Sequence, residues 1–423
     1  MFQFIIKGIF RDRHRWLFPI LIVCAGVVMM VFTLSFMQGY QNSFIRQNAR
    51  FETGHLKVVT RAYAEMIEQK PYDLAMLNIE DEFKEWQTKY PELSWVQRIS
   101  FGALLDVPDE RGETRAQGQV VGFAVDLLNS KREQELLNLN KALVSGRLPR
   151  ANGEALMSDA ALTRLSIKIG ETVTLIGGSV YGAMTMQNLV IVGTVNFGVG
   201  ALDNGAVIAD ISDIRQLLDM EQGASEILAF FENGEYNDKV ASRVAAEFNA
   251  QYSDPEDEFS PKMLTMMQQN NLAYLMGTFS SMMGWMALVF VFIMGIVLWN
   301  SGLMNGIRRY GEFGLRLAIG EQKRQVYLGL LSEAFIVGIV GSCIGLVLGL
   351  GISLYFNKNG MDVSAYNRNT SILSENMVYT SITLKALVIS FIPGVLSTLL
   401  GAALAGTAIY KRQTSQLFKE LEA

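Results

Sequence analysis

The chain alternates long apolar runs with one large mixed stretch, and that pattern sets most expectations. Residues 17–36 carry no charge, which matches the ~20 residues a helix needs to cross ~30 Å of hydrocarbon. Residues 263–307 are also uncharged, but a continuous helix of that length, at ~1.5 Å per residue, would be roughly twice the bilayer core. Only part of it can span. The pattern predicts the crossing at 276–300, with Gln268, Gln269, Asn270 and Asn271 before it in a helical stalk outside the membrane. Residues 326–356 are interrupted only by Glu333, and 386–410 hold no charge. Spans are therefore expected at 17–37, 276–300, 325–356 and 385–410.

Residues 38–271 form the mixed stretch, large enough for one big or two ordinary domains. Runs at 96–107 and 114–125 flank Asp109, Glu110, Arg111 and Gly112, the sequence of a hairpin turn. Further strands are expected at 172–176, 189–195, 205–209 and 226–231. Helices are expected at 80–90, 127–137, 159–165, 211–218 and 237–252. The mixture predicts an α+β module inserted between the first two spans of a four-helix membrane protein. Residues 127–219 read as an inserted lobe, with the flanks 40–126 and 220–262 folding together because the chain leaves and re-enters the membrane at neighbouring points.

Composition agrees: half of the residues are hydrophobic and 18% are charged, against ~25% in soluble domains. Charge then fixes orientation. Lys7, Arg11, Arg13 and Arg15 precede the first span; Arg308, Arg309, Arg316, Lys323 and Arg324 lie between the second and third; Lys411 and Arg412 follow the fourth. By the positive-inside rule these clusters are cytoplasmic. Residues 40–275 carry 21 Lys plus Arg against 33 Asp plus Glu, so the acidic part is the translocated one. The first span is expected to be a retained anchor, since it outruns a signal peptide's apolar region and no small-x-small site follows it. Residues 1–16, with Phe2, Ile5, Ile6, Ile9 and Phe10 set against the basic residues, suggest an amphipathic helix on the inner surface.

Candidate chemistry narrows the function by what is missing. The two cysteines, Cys24 and Cys343, both fall in apolar runs, and the only histidines are His14 and His55. A disulfide framework in the outer domain and a His/Cys metal site are thus excluded by count. No G-x-x-x-x-G-K-[ST] loop, G-x-S-x-G or H-E-x-x-H occurs, so no metal and no cofactor is expected on this chain. Glu333 is an acid inside a span, where it marks either a functional site or an ion pair with Arg324 near the inner surface. Gly338, Gly341, Gly345 and Gly349 let helices pack closely in lipid, and Gly401 and Ala405 repeat the spacing. The second run is rich in methionine; Met282, Met283 and Met286, with Phe36 and Tyr40 at the end of the first span, are candidates to line a cavity for variable apolar chains, or simply adaptable packing.

The segment IRRYGEFGLRLAIG at 307–320 is short, charged and helix-compatible between two spans. Glu312 precedes Arg316 by four residues, an order that supports a helix, and Ile307, Tyr310, Gly314 and Leu317 recur on one face. Gly320 is a natural stop. An ordinary basic loop and a docking helix are both compatible with these residues.

This segment and the following EQKRQVYLGLLSEAFIVGIVGSCIGLVLG resemble the FtsX/MacB-like permeases of ABC transporters. The family motif R-x-x-E-x-G-x-x-x-A-x-G is matched by Arg309, Glu312, Gly314, Ala318 and Gly320. The resemblance implies a coupling helix at 306–322, with Arg308, Arg309, Glu312, Gly314, Arg316, Ala318 and Gly320 receiving the motion of a separate ATPase subunit. ATP and Mg would bind to that partner and not to this chain. It also implies a periplasmic domain at 38–271, a periplasmic loop at 357–384, a cytoplasmic tail at 411–423 and residence in the bacterial inner membrane beside a second permease copy or paralogue. Thr53 to Val58 (TGHLKV), Ser145 to Leu148 through Glu154, and Leu165 to Glu171 look like the lipoprotein-releasing (LolC/LolE-type) branch. A MacB-type protein would carry a nucleotide-binding domain before the first span, where this chain has about sixteen residues. Its tail also lacks the proline of many relatives. The expected substrate is then a lipoprotein or similar amphiphile, with no nucleic-acid partner. Activation of a periplasmic cell-wall hydrolase by an FtsX-like signalling protein, or export of a peptide or hydrophobic toxin, are the alternatives.

Overall fold

The computed structural model describes residues 13–308, 310–367 and 376–411. The expected surface helix at 1–16 and tail at 411–423 therefore lie almost wholly outside the described residues. The first helix, α1 (Arg13–Asn48), runs through its apolar stretch and eleven residues beyond 37. It ends in a π turn, Ala49–Thr53.

The outer unit follows, comprising Ser43–Met276 with Asp362–Met377. Its ten strands are β1 (Leu56–Thr60), β2 (Leu93–Pro108), β3 (Thr114–Val125), β4 (Leu143–Gly146), β5 (Glu154–Ser158), β6 (Thr172–Gly178), β7 (Met184–Val195), β8 (Ala206–Asp210), β9 (Glu226–Phe231) and β10 (Pro261–Thr265). Its main helices are α2 (Glu80–Lys89), α3 (Lys131–Leu136), α4 (Asp159–Leu165), α5 (Ile211–Leu218) and α6 (Asp238–Tyr252). Side chains of Ser158, Asp210 and Asn237 cap α4, α5 and α6 by accepting from backbone N–H groups in their first turns.

Pairing closes six strands into a ring. β2 pairs with β3, β3 with β8, β8 with β5, β5 with β7, β7 with β6, and β6 returns to β2. Period-two alternation sends Phe101, Leu105, Val120, Val173, Leu175, Leu189 and Val207 into the ring's core. On part of the outside, Phe123, Leu156, Val192 and Ile208 are covered by Phe51, Leu137, Leu139 and Val199. β2 is long enough to serve two layers. Its first residues, Leu93 to Arg98, pair instead with β9, which continues to β1 and β10 as an open sheet. There Leu56, Val58, Ile227 and Ala229 pack against Trp86 of α2 and Phe248 of α6.

Three sequence expectations change here. The lobe starts earlier than 127, because the hairpin β2–β3 builds its core with 155–218 rather than with the flanks. The helix expected at 127–137 shortens to α3, since the Leu127 and Leu128 amides donate to the Asp210 carboxylate, at 3.0 and 3.2 Å, instead of entering a helix. The stalk at 268–271 is not a continuous helix: a 3-10 turn, Met266–Gln268, ends at Gln268 and 269–271 are non-helical. Asn270 and Asn271 take left-handed backbone (φ 49° and 54°), which asparagine tolerates and which ends a helix. Met263 lies in β10.

Among the described residues, four helices are long and apolar enough to span: α1, α7 (Leu272–Arg308), α9 (Lys323–Asn359) and α10 (Leu384–Lys411). The short α8 (Tyr310–Ala318) joins α7 to α9. This is the expected class, a four-helix membrane protein with a large α+β domain between the first two spans.

Candidate functional site

Glycines decide how the spans meet. A Cβ placed at Gly341, Gly345 or Gly349 of α9 would fall 2.9 Å from the Cβ atoms of Val23, Val27 and Val31 of α1 respectively. Gly338 makes the corresponding approach to Val395 and Thr398 of α10, and Gly394 of α10 to Ser342 and Val27. Helix α7 enters through Gly26, opposite Met294, and Gly401, opposite Leu298. Small residues thus bring backbones together where lipid offers no hydrophobic drive.

The candidate cavity residues separate. Met283 packs against Met30, Leu34 and Ala386 within the bundle. Met286 is half-buried, whereas Met282 is 50% exposed. The Phe36 ring lies 6.3 Å from Phe32, and Tyr40 meets Phe279 edge-on at 6.2 Å. The outward wall of α7 is wider than these residues suggested, since Trp285, Leu288, Phe292 and Ile296 are all exposed. Over an apolar stretch of eighteen residues only 11% of α7 is buried, against 33–39% of the corresponding stretches of the other three.

In the coupling segment, Arg309 and the side chains of Arg308 and Glu312 lie outside the described residues. Gly314 is buried and Arg316 half-buried, so the gap at Gly314 faces inward. Among the described side chains of α8 and its end, Leu315, Ala318 and Ile319 are exposed. Gly320 stops the helix with φ 99°, its amide donating to Leu317 O. Glu333 is half-buried on α9.

Two of the stretches that look like the lipoprotein-releasing branch, 53–58 and 145–154, serve local architecture. Gly54 needs φ 62°, and a Cβ there would sit 2.6 Å from Leu56 O. His55 is buried among Phe230, Phe231 and Tyr236, its Nδ1 accepting from the Phe231 amide at 3.0 Å. Burial lowers its pKa from 6.5 to about 4. Between those values an unfolded chain takes a proton that the folded one refuses. Stability is therefore full above pH 6.5 and falls on the order of 3 kcal/mol by pH 4. Denaturant titrations of the chain across this window are expected to show the loss, and His55→Asn to flatten it. Arg147 grips Glu154 with two nitrogens and holds that carboxyl at about 2, so this pair weakens only below pH 4.5.

Contacts that bridge distant segments had no sequence signal. At one end of the bundle the segment before α10 is clasped between α1 and α9. The Ser381 amide donates to Ser35 O at 2.8 Å, Asn42 Nδ2 to Ser381 Oγ at 3.2 Å, and Thr380 Oγ1 to Ser353 O at 2.6 Å. Asn357 Nδ2 also donates to Thr380 O. Gly39 has no room for a Cβ, which would collide with Tyr379 O.

Close-packed spans with an inserted barrel-bearing domain and a short helix between the second and third spans define a multi-pass membrane protein built like a permease subunit. Residues 284–414 match the FtsX-like permease C-terminal model, and residues 18–247, over half of the chain, match the MacB-like periplasmic core domain. The chain belongs to the FtsX/MacB-like ABC transporter permeases, and its barrel-bearing domain is a periplasmic one. It is 35% identical over 81 residues to the macrolide export ATP-binding/permease protein MacB of Bdellovibrio bacteriovorus, covering 19% of this chain and 12% of that protein. An uncharacterized ABC transporter permease protein of Mycobacterium tuberculosis is 24% identical over 271 residues, 62% of this chain and 29% of that protein. The chain thus spans less than a third of the length of these relatives. The periplasmic region of MacB from Actinobacillus actinomycetemcomitans aligns over 52% of this chain and 92% of its own, at 10% identity and a TM-score of 0.35.

Proposed function

We propose that this chain is the non-catalytic permease subunit of a bacterial inner-membrane ABC transporter that draws lipoproteins or similar amphiphiles from the outer leaflet. A separate ATPase subunit binds and hydrolyses ATP with Mg, and a second permease copy or paralogue completes the pathway. The observation that carries this reading is the bare wall of α7, where Met282, Trp285, Leu288 and Phe292 stand exposed on a span that its own bundle hardly covers. Such a wall suits an acyl chain sliding sideways from lipid, and flexible methionine beside rigid aromatics accommodates chains of varied shape. Photo-crosslinkers at Met282 and Trp285 are expected to capture acylated proteins. Capture of lipid and nothing else at both positions would sink the reading. Recovery of only a soluble partner, through the outer domain, would favour signalling.

A second reading is export of a small hydrophobic compound, favoured by the name macrolide export on the Bdellovibrio bacteriovorus relative. Competition of the same crosslinks by free macrolide would move the assignment there.

Energy would enter at α8, where exposed Leu315 and Ile319 offer an apolar contact to the ATPase. Leu315→Asp places a charge in that contact and is expected to weaken co-purification with the ATPase about tenfold or more while the bundle stays folded. Unchanged co-purification would remove α8 from the coupling route.

A further inference from the structure

The end of α1 is held in an unusual way. Past Asn48 the helix loosens into the π turn Ala49–Thr53, a form that is rare and concentrated at functional places. Two side chains grip it. Phe51 lies 5.0 Å from Phe197 and 6.2 Å from Phe123 of β3, ring centre to ring centre. The Arg50 carbonyl accepts from Arg98 Nη1 at 2.6 Å.

Arg98 occupies the one position of β2 that pairs on both sides of the transition, with Glu226 in the open sheet and Val125 in the barrel. Its Nε and Nη2 bind both oxygens of Glu133 on α3 at 2.7 and 2.8 Å. The two side chains are 2% and 1% exposed. Helix α3 has its own tie to β2, because Arg132 Nε donates to Ser94 Oγ at 2.6 Å. A buried ion pair is a weak source of stability, since well-packed apolar residues often do as well. It is a good source of direction. The two-pronged bond fixes the guanidinium plane, and that plane aims the remaining nitrogen at the Arg50 carbonyl.

We infer that Arg98 is a positioning residue that grips the terminal turn of α1 and passes its displacement to the barrel, with Glu133 holding the guanidinium at the required angle. The inference rests on the proposed transport cycle for its purpose, but its test does not. Spin labels at the exposed positions Arg46 on α1 and Met184 on β7 would report the coupling in the full chain in lipid nanodiscs, with Cys24→Ala and Cys343→Ala as background. The parent should give one narrow distance distribution. Arg98→Lys, which keeps the charge but loses the fork, and Arg98→Met with Glu133→Leu, which keeps an apolar core, should both broaden it. Amide hydrogen exchange at 49–53 should rise about tenfold, with β5 to β8 unchanged. An unchanged distribution in either variant would overturn the inference. So would exchange that rises equally in the barrel strands, because Arg98 would then be merely structural. Broadened distances together with failed crosslinking at Met282 would strike the transport reading and leave the grip standing.

Discussion

Replacing Gly345 with Leu is expected to leave the chain largely aggregated when it is extracted in mild detergent, with a markedly lower melting temperature in whatever stays monodisperse. The added Cβ would fall 2.8 Å from Cys24 O, 2.9 Å from Val27 Cβ and 3.1 Å from Cys24 Cα. Two of these neighbours are backbone, so no rotamer change relieves the clash and α1 has to move away from α9. Overpacking of a tight core usually costs ~1–3 kcal/mol, and a site that meets backbone belongs at the upper end. Gly341 and Gly349 face the same helix one turn away on either side, so shifting α1 at one position strains the other two. Gly351 is the control: no atom lies within 4 Å of a Cβ there, and Leu has the better helix propensity by roughly 0.8 kcal/mol. Gly351→Leu should therefore behave like the parent on size-exclusion and thermal profiles. Equal behaviour of the two variants would mean that the close approach of α1 and α9 is not what holds the bundle.

The glycine spacing on α9 could be read from the chain because one helix carries the whole signal, every fourth residue. Hydropathy likewise marked all four spans. It failed at their ends, since it registers apolarity and not conformation. Met263 in β10 and Leu272 at the start of α7 belong to one uncharged run, yet Asn270 and Asn271 break it into strand and helix. The same blindness stopped the first helix at residue 37, where Gln38, Gln41 and Asn42 turn the run polar while the helix continues to Asn48. Strands β1 (LKVVT), β5 (EALMS) and β10 (PKMLT) show no period-two alternation, because nearly every position in them is buried and the polar residues among them do not mark a solvent face. Least legible were the polar contacts. Arg98 and Glu133 are 35 residues apart, and Lys57 and Glu226 are both charged residues that a sequence places on a solvated surface by default. Only a closed barrel and an open sheet sharing β2 make interior positions of them. In α8 the motif's Gly314 is buried and its Ala318 exposed, and beside them Leu315 and Ile319, which the motif does not include, are exposed as well.

The pair Lys57 and Glu226 supplies the second large effect. Lys57 Nζ lies 3.0 Å from Glu226 Oε1, and the side chains are 1% and 2% exposed in the middle of the open sheet. Tyr63 OH donates to the same oxygen at 3.1 Å. Burial pushes the Glu226 carboxyl up, but Lys57 and Lys70 outweigh it and hold the group below the usual carboxylate range, so it is ionised at neutral pH. Lys57→Met would remove the nearest compensating charge and leave that carboxylate in an apolar layer. The expected loss is ~3–5 kcal/mol in denaturant unfolding, followed through Trp86 and Trp95, which pack in the same layer. Removing both charges is a different experiment. Lys57→Met with Glu226→Leu leaves no buried ion to desolvate and should recover most of the loss, with the Tyr63 hydroxyl left short of one partner at ~1–3 kcal/mol. The contrast between single and double variants is what identifies the mechanism. If the double variant were as unstable as the single one, the cost would lie in shape, and the buried charge would not explain why β1 holds to β9.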